Sequence, residues 1–128
     1  MDLKAYFEDH RGTGVLATAD GDGKVDAAIY SRPHFFEDGT LAFIMRDRLT
    51  HHNLQSNPHA TYLFIENRPG FRGRRLYLTK IREEKGGETL HRLHRRSPRS
   101  GDPETEEDMF LVYFTLEREL PLIGAGDR

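Results

Sequence analysis

Residues 43–58, FIMRDRLTHHNLQSNP, gather chemistry-bearing side chains where a strand hands over to a helix. The apolar FIM reads as the end of a buried strand. Arg46 and Arg48 follow it, Thr50-x-x-Asn53 reads as a helix start, and Asn57-Pro58 closes the helix. That order builds an anion site, because two guanidinium groups at the strand's mouth stand beside the first backbone N–H groups of a helix, which have no partner inside it. Thr50 is the expected cap. A phosphate suits such a site, and a bound cofactor is its expected owner.

The other reactive-looking residues have plainer explanations. Tyr30, Tyr62, Phe64 and Phe71 could stack on a flat ligand, yet aromatics in strands more often fill a core. His51, His52 and His59 do not make a metal site, since adjacent histidines on a helix point about 100° apart and no carboxylate stands at a zinc spacing. His91 and His94 lie at i and i+3 among arginines, which favours a solvated helix over a cation site. Gly12-Thr13-Gly14-Val15-Leu16-Ala17 matches a degenerate dinucleotide fingerprint in the wrong context: a helix precedes it and a strand follows. The glycines are expected to end the first helix. Asp20-Gly21-Asp22-Gly23 fails as a calcium loop because Lys24 occupies a ligand position.

Around these residues the pattern is mainly β with short helices. Asp2 can cap a first helix carrying Leu3, Tyr6, Phe7 and His10 at helical spacing. GVLATA and KVDAAIYSR form a hairpin through Asp-Gly-Asp-Gly, and TLAFIM makes a central strand. After the helix of residues 50–56 come ATYLFIE and RRLYLTKIRE, joined by a Pro-Gly loop, and MFLVYFTLE forms a sixth strand. Residues 85–108 read as a polar excursion, a short helix with Leu90 and Leu93 followed by a flexible loop. Six antiparallel strands in one domain of residues 1–128 point to a closed barrel, which removes exposed edges.

Bulk composition narrows the function. With 36% hydrophobic and 31% charged residues and a net charge of -2, neither a membrane protein nor a polyanion binder is indicated, and a cytoplasmic setting is expected. The absence of cysteine removes thiolate and disulfide chemistry, so redox work would fall to a bound cofactor.

The order of elements, with AAIYSRP on the second strand, Arg46-x-x-x-Thr50-x-x-Asn53-Leu54-x-x-Asn57-Pro58, GRRLYL on the fifth strand and LPLIG near the end, resembles the FMN-binding split-barrel family that includes pyridoxamine 5'-phosphate oxidase. The resemblance spans nearly the whole chain. It implies a six-stranded antiparallel split β-barrel of Greek-key type, a homodimer, and one FMN per subunit at the dimer interface. By position it implies that Ala28, Ile29, Tyr30 and Ser31 line the ring and ribityl chain. Met45 and Arg46 would sit beside the ring, Thr50 and His51 at the phosphate, and Asn53 and Arg75 near the flavin, with Arg46 or Arg48 supplying the positive charge. The chain departs from the long oxidases in having Arg48-Leu49-Thr50 in place of their Ser-Arg-Lys triplet, no Trp, and Pro121-Leu122-Ile123-Gly124 in place of an Arg-Leu-x-Pro ending. Those departures argue against pyridoxamine phosphate oxidation itself.

A homodimer also follows from energetics. Charge-assisted hydrogen bonds to a phosphate contribute about 1.5 to 3 kcal/mol each, against an association cost on the order of 4 to 15 kcal/mol, so the flat ring must also be buried. A second subunit is the natural lid. The expected function is therefore an FMN-binding oxidoreductase or electron carrier. Its rivals are a non-catalytic flavin or haem barrel using His51, His52 or His59, and an oligonucleotide-binding barrel using Arg68, Arg72, Arg74 and Arg75 with Phe71 and Tyr77.

Overall fold

Runs of β-branched, aromatic and leucine residues between Gly, Pro and Asp punctuation produce seven antiparallel strands and three short helices. They are seen in a computed structural model of the chain, described for residues 2–95 and 106–124. The order is α1 (Leu3–Asp9), β1 (Gly12–Ala19), β2 (Val25–Ile29), β3 (His34–Phe35), β4 (Leu41–Arg46), α2 (Leu49–Ser56), β5 (His59–Glu66), β6 (Gly73–Lys85), α3 (Gly87–Arg95), a 3-10 turn (Glu106–Asp108) and β7 (Met109–Pro121). The strands form one sheet in the order β2-β1-β5-β6-β7-β4-β3. Asp2 caps α1 as expected, its carboxylate accepting from the Ala5 N–H at 2.8 Å. The β1–β2 turn also matches, with Gly23 at φ 86° and Asp20 accepting from the Asp22 and Lys24 amides. Among the described residues no helix is long and apolar enough to cross a membrane.

The sheet curls on itself. Phe43 of β4 meets Tyr62 of β5 at a ring separation of 5.0 Å, although β6 and β7 lie between those strands in the sheet. Leu16, Phe64, Leu76, Leu78, Val112 and Phe114 fill the same interior, and α1 plugs one end by packing Phe7 on Phe64 at 4.9 Å. Each such fully buried side chain contributes about 1.5 to 3 kcal/mol. A smaller cluster lies on the outer face of β4 and β7, where Leu90 of α3 covers Ala42, Leu111 and Tyr113.

Three expectations change. The sheet has a seventh strand, β3, only two residues long, and it pairs with β4 no further than Ala42. No ladder joins β2 to β4, so the barrel is split and not closed. Pro33 explains the short β3, since it has no N–H to donate and restrains Arg32 before it. Gly12 and Gly14 do not end α1 but open β1, where a Cβ on Gly14 would lie 1.9 Å from the Tyr62 hydroxyl. The flexible-loop expectation for residues 96–105 falls outside the described residues.

Helix α2 is pinned from the side facing β6 and β7. His51 is buried, stacked on Phe110 at 3.8 Å, with Nδ1 2.9 Å from Asp47 and Nε2 3.0 Å from Glu83. Lys80 and Gln55 also donate to Glu83, at 2.7 and 3.0 Å. Burial pushes the Glu83 carboxyl up, but the hydrogen bonds from Lys80, His51 and Gln55 outweigh it and bring it down to about 2.

Two stability measurements follow. Glu83 binds its proton more weakly in the folded chain than in the unfolded one, so its contribution is full above about pH 5 and is lost as pH falls toward 2; it should amount to on the order of 2 kcal/mol. Urea titrations of Glu83→Gln should be flatter over that range than those of the parent chain. Gly73→Ala should cost at least about 2 kcal/mol, because the new Cβ would lie 1.9 Å from the Phe64 carbonyl oxygen in the adjoining strand.

Candidate functional site

The strand expected to be central is not: because β3 stops pairing at Ala42, the edge of β4 from Phe43 to Arg46 has no strand on that side among the described residues, and β2 with the residues after it stands opposite. The gap is a cleft of about 720 Å³, within the roughly 300 to 1,000 Å³ typical of small-molecule sites. Its floor is held by one buried side chain. Tyr62 donates its hydroxyl to the Tyr30 and Ser31 carbonyls, at 3.2 and 3.1 Å, and this fixes the backbone that forms the cleft wall. Gly14 lacks a side chain where that hydroxyl must pass.

The structure brings eight of the eleven sequence-derived residues together: Ala28, Ile29, Tyr30, Ser31, Met45, Arg46, Arg48 and Thr50 all line the cleft. Burial pushes the Tyr30 phenol up, its hydrogen bond to Thr50 opposes this, and nearby Asp26 adds to the rise, so the hydroxyl is held neutral. Thr50 itself is buried but is not the cap. Arg48 occupies the cap position of α2 without a side-chain cap bond, and Thr50 is the second residue of the helix. The reason is that the helix begins at Leu49, two residues earlier than a cap at Thr50 would place it. The first N–H groups of α2 therefore receive no side-chain cap bond from Arg48, and they lie beside Arg48 and Thr50 at the cleft.

Three residues lie elsewhere. His51 is turned into the Asp47 and Glu83 carboxylates, a setting that repels a phosphate. Asn53 is buried and donates to Thr18 at 3.1 Å, joining α2 to β1. Arg75 holds the end of β7, donating to the carbonyls of Pro121 and Gly124. His52 and His59 are exposed on α2 and β5.

Sequence reasoning missed several lining residues. Arg32 and His34 reach the cleft from the short β3 edge, and His94 from α3. His94 is not solvated; it is buried, with Nδ1 2.6 Å from Glu106, which His91 also contacts. Its i+4 spacing from buried Leu90 was the available signal.

The oligonucleotide surface is broken up. Arg68 pairs with Glu66 at 2.7 Å, Arg74 pairs with Glu119 at 3.0 Å, and Arg118 lies over Tyr77. Phe71 stands exposed at the β5–β6 tip with φ 51°. Among the described residues no group of three or more His, Cys, Asp or Glu could hold a metal.

No family model and no curated protein matches the chain by sequence. Solved structures do match it in fold. An FMN-binding protein from Syntrophomonas wolfei subsp. wolfei superposes with a TM-score of 0.72 at 18% identity, over 91% of this chain and 81% of that one. A candidate pyridoxamine 5'-phosphate oxidase from Listeria innocua gives 0.68 at 21% identity, over 94% of each chain. HutZ, the heme storage protein of Vibrio cholerae, gives 0.64 at 20% identity, over 91% and 90%. The curled seven-stranded sheet with its open seam is thus the fold of the FMN-binding, pyridoxamine 5'-phosphate oxidase-like split barrels.

Proposed function

We propose that the chain is an FMN-binding flavoprotein that works as a small oxidoreductase or electron carrier. The observation that carries this reading is the uncapped start of α2 beside Arg48, Thr50 and Arg46, at one end of a cleft whose middle is apolar. The phosphate of FMN would meet those N–H groups and the guanidinium charge. The ring would lie along Ile29, Phe43, Ile44 and Met45, beside the free β4 edge. The cofactor supplies hydride or electron transfer, and the protein supplies binding and orientation. Tyr30, held neutral beside Thr50, offers a hydroxyl to the same region.

The working unit is a homodimer. The outward residues of β2, β1 and β5 are small or apolar: Ile29 pairs with Val15, and Val15 with Leu63, while Ala17 sits between Ala27 and Thr61. Ile29 is 63% exposed and Val25 84%, and Ile29 also borders the cleft. A second copy laid on this face would remove that surface from water and roof the ring.

Haem is the second reading, favoured by two histidines in the cleft, His34 and His94, and by the likeness to a heme storage protein. Of the histidines expected for it, none lines the cleft.

The purified chain mixed with FMN should retain it through gel filtration, turn yellow, and develop no Soret band on haem addition; a colourless protein or a Soret band would reject the flavin reading. Thr50→Ala should weaken FMN binding roughly fivefold to tenfold, about 1 kcal/mol or slightly more, through loss of its hydroxyl. Ile29→Asp should shift sedimentation from dimer to monomer, and a wild-type monomer at micromolar concentration would exclude the dimer.

A further inference from the structure

The cleft has a second cationic end that the cofactor phosphate does not need. Arg32 lines it, and its guanidinium Nη1 donates to the Phe7 carbonyl and, at 3.5 Å, to the His10 carbonyl at the C-terminal end of α1. Carbonyl oxygens orient a guanidinium without cancelling its charge. Other cations of this chain are matched differently: Arg68, Arg74, Lys80 and Arg82 each meet a carboxylate. Arg32 is held among the described residues by carbonyls, with Nε and Nη2 left over for a planar oxyanion. Pro33 restrains the Arg32 backbone to an extended form, so the side chain starts from a fixed point.

His34 stands next to it. Burial lowers its pKa and the Arg32 charge lowers it further, so the imidazole is neutral and has a ring N–H to donate. Thr13 and Ser31 line the same cleft. His34 pairs with Ala42, whereas Arg46 lies four residues further along β4, or about 13 Å of extended strand. The two cationic ends are therefore separated by the apolar stretch of the cleft.

We infer that Arg32 and His34 form an oxyanion subsite, so that the substrate brought to the cleft is a small organic anion carrying a carboxylate or phosphate group. The assignment rests on the flavin reading for its role: α2 and Arg48 take the cofactor phosphate, and Arg32 takes the charge of the molecule that exchanges electrons with the ring. It sets specificity by charge. A neutral analogue leaves the Arg32 fork without its oxyanion partner.

The test titrates the full chain, with FMN added, with benzoate, phenyl phosphate and the neutral isostere benzamide, followed by saturation-transfer NMR on the small molecule. At least one anion should bind about tenfold or more tightly than benzamide, and the better of the two identifies the group. Arg32→Lys keeps a positive charge at the α1 carbonyls but loses the fork; it should cost the anion about tenfold while leaving FMN retention and the melting temperature unchanged. His34→Phe leaves α1 untouched and should weaken the anion several-fold, which covers the case in which Arg32→Lys unfolds. Equal binding of benzoate, phenyl phosphate and benzamide, or anion binding unaffected by either substitution, overturns the subsite. Release of FMN by Arg32→Lys in a still-folded chain also overturns it, by assigning Arg32 to the cofactor. If the wild type takes up no FMN, the flavin reading falls, and the same titration still decides the oxyanion site.

Discussion

Every strand edge must answer for its N–H and C=O groups, and in this chain the outer edge of β2 and the edge of β4 beyond Ala42, which face the same seam, are left to answer through something other than a strand. Past Ala42, β4 runs on to Arg46 with β7 on one side and an opening on the other. The rest of the architecture can be derived from that opening. The sheet curls far enough for Phe43 to touch Tyr62 and Tyr30, which closes the interior to water, yet β2 and β4 never exchange hydrogen bonds. Core burial stabilises the curl, while the cleft opens at the seam. A fully closed barrel of this size would have filled its interior with side chains and kept no place for a flat ligand.

The seam is built from parts anchored elsewhere. Tyr62 holds the β2 side by two carbonyls, and the His51, Glu83 and Lys80 cluster holds α2 against β6 and β7. Glu106 holds His94. None of these anchors draws on the side chains of Thr50, Arg48 or Arg32, which stay at the cleft.

Local signals were well written in the sequence. The Asp2 cap and the Asp-Gly-Asp-Gly hairpin are short-range features, and each is seen where the pattern places it. The spacing of Arg46, Arg48 and Thr50 likewise put them in one place. What it could not show was the helix phase. With the helix starting at Leu49, His51 lies about 100° round from Thr50 and faces carboxylates, and Asn53 faces Thr18. Arg75 was unreadable for another reason: its partners, Pro121 and Gly124, arrive from 46 and 49 residues away. Arg32 and His34 escaped notice because their meeting with β4 depends on a two-residue strand, too short to leave a periodic signature.

The contact between Gly14 and Tyr62 links two positions 48 residues apart into one inherited unit. A side chain at 14 would strike both the hydroxyl and the ring carbon bearing it, so such a change requires a smaller residue at 62, and that in turn releases the Tyr30 and Ser31 carbonyls. Descendants of this chain that alter one position without the other should be rare. Those that alter both should have rebuilt the cleft wall, and with it the range of molecules they accept.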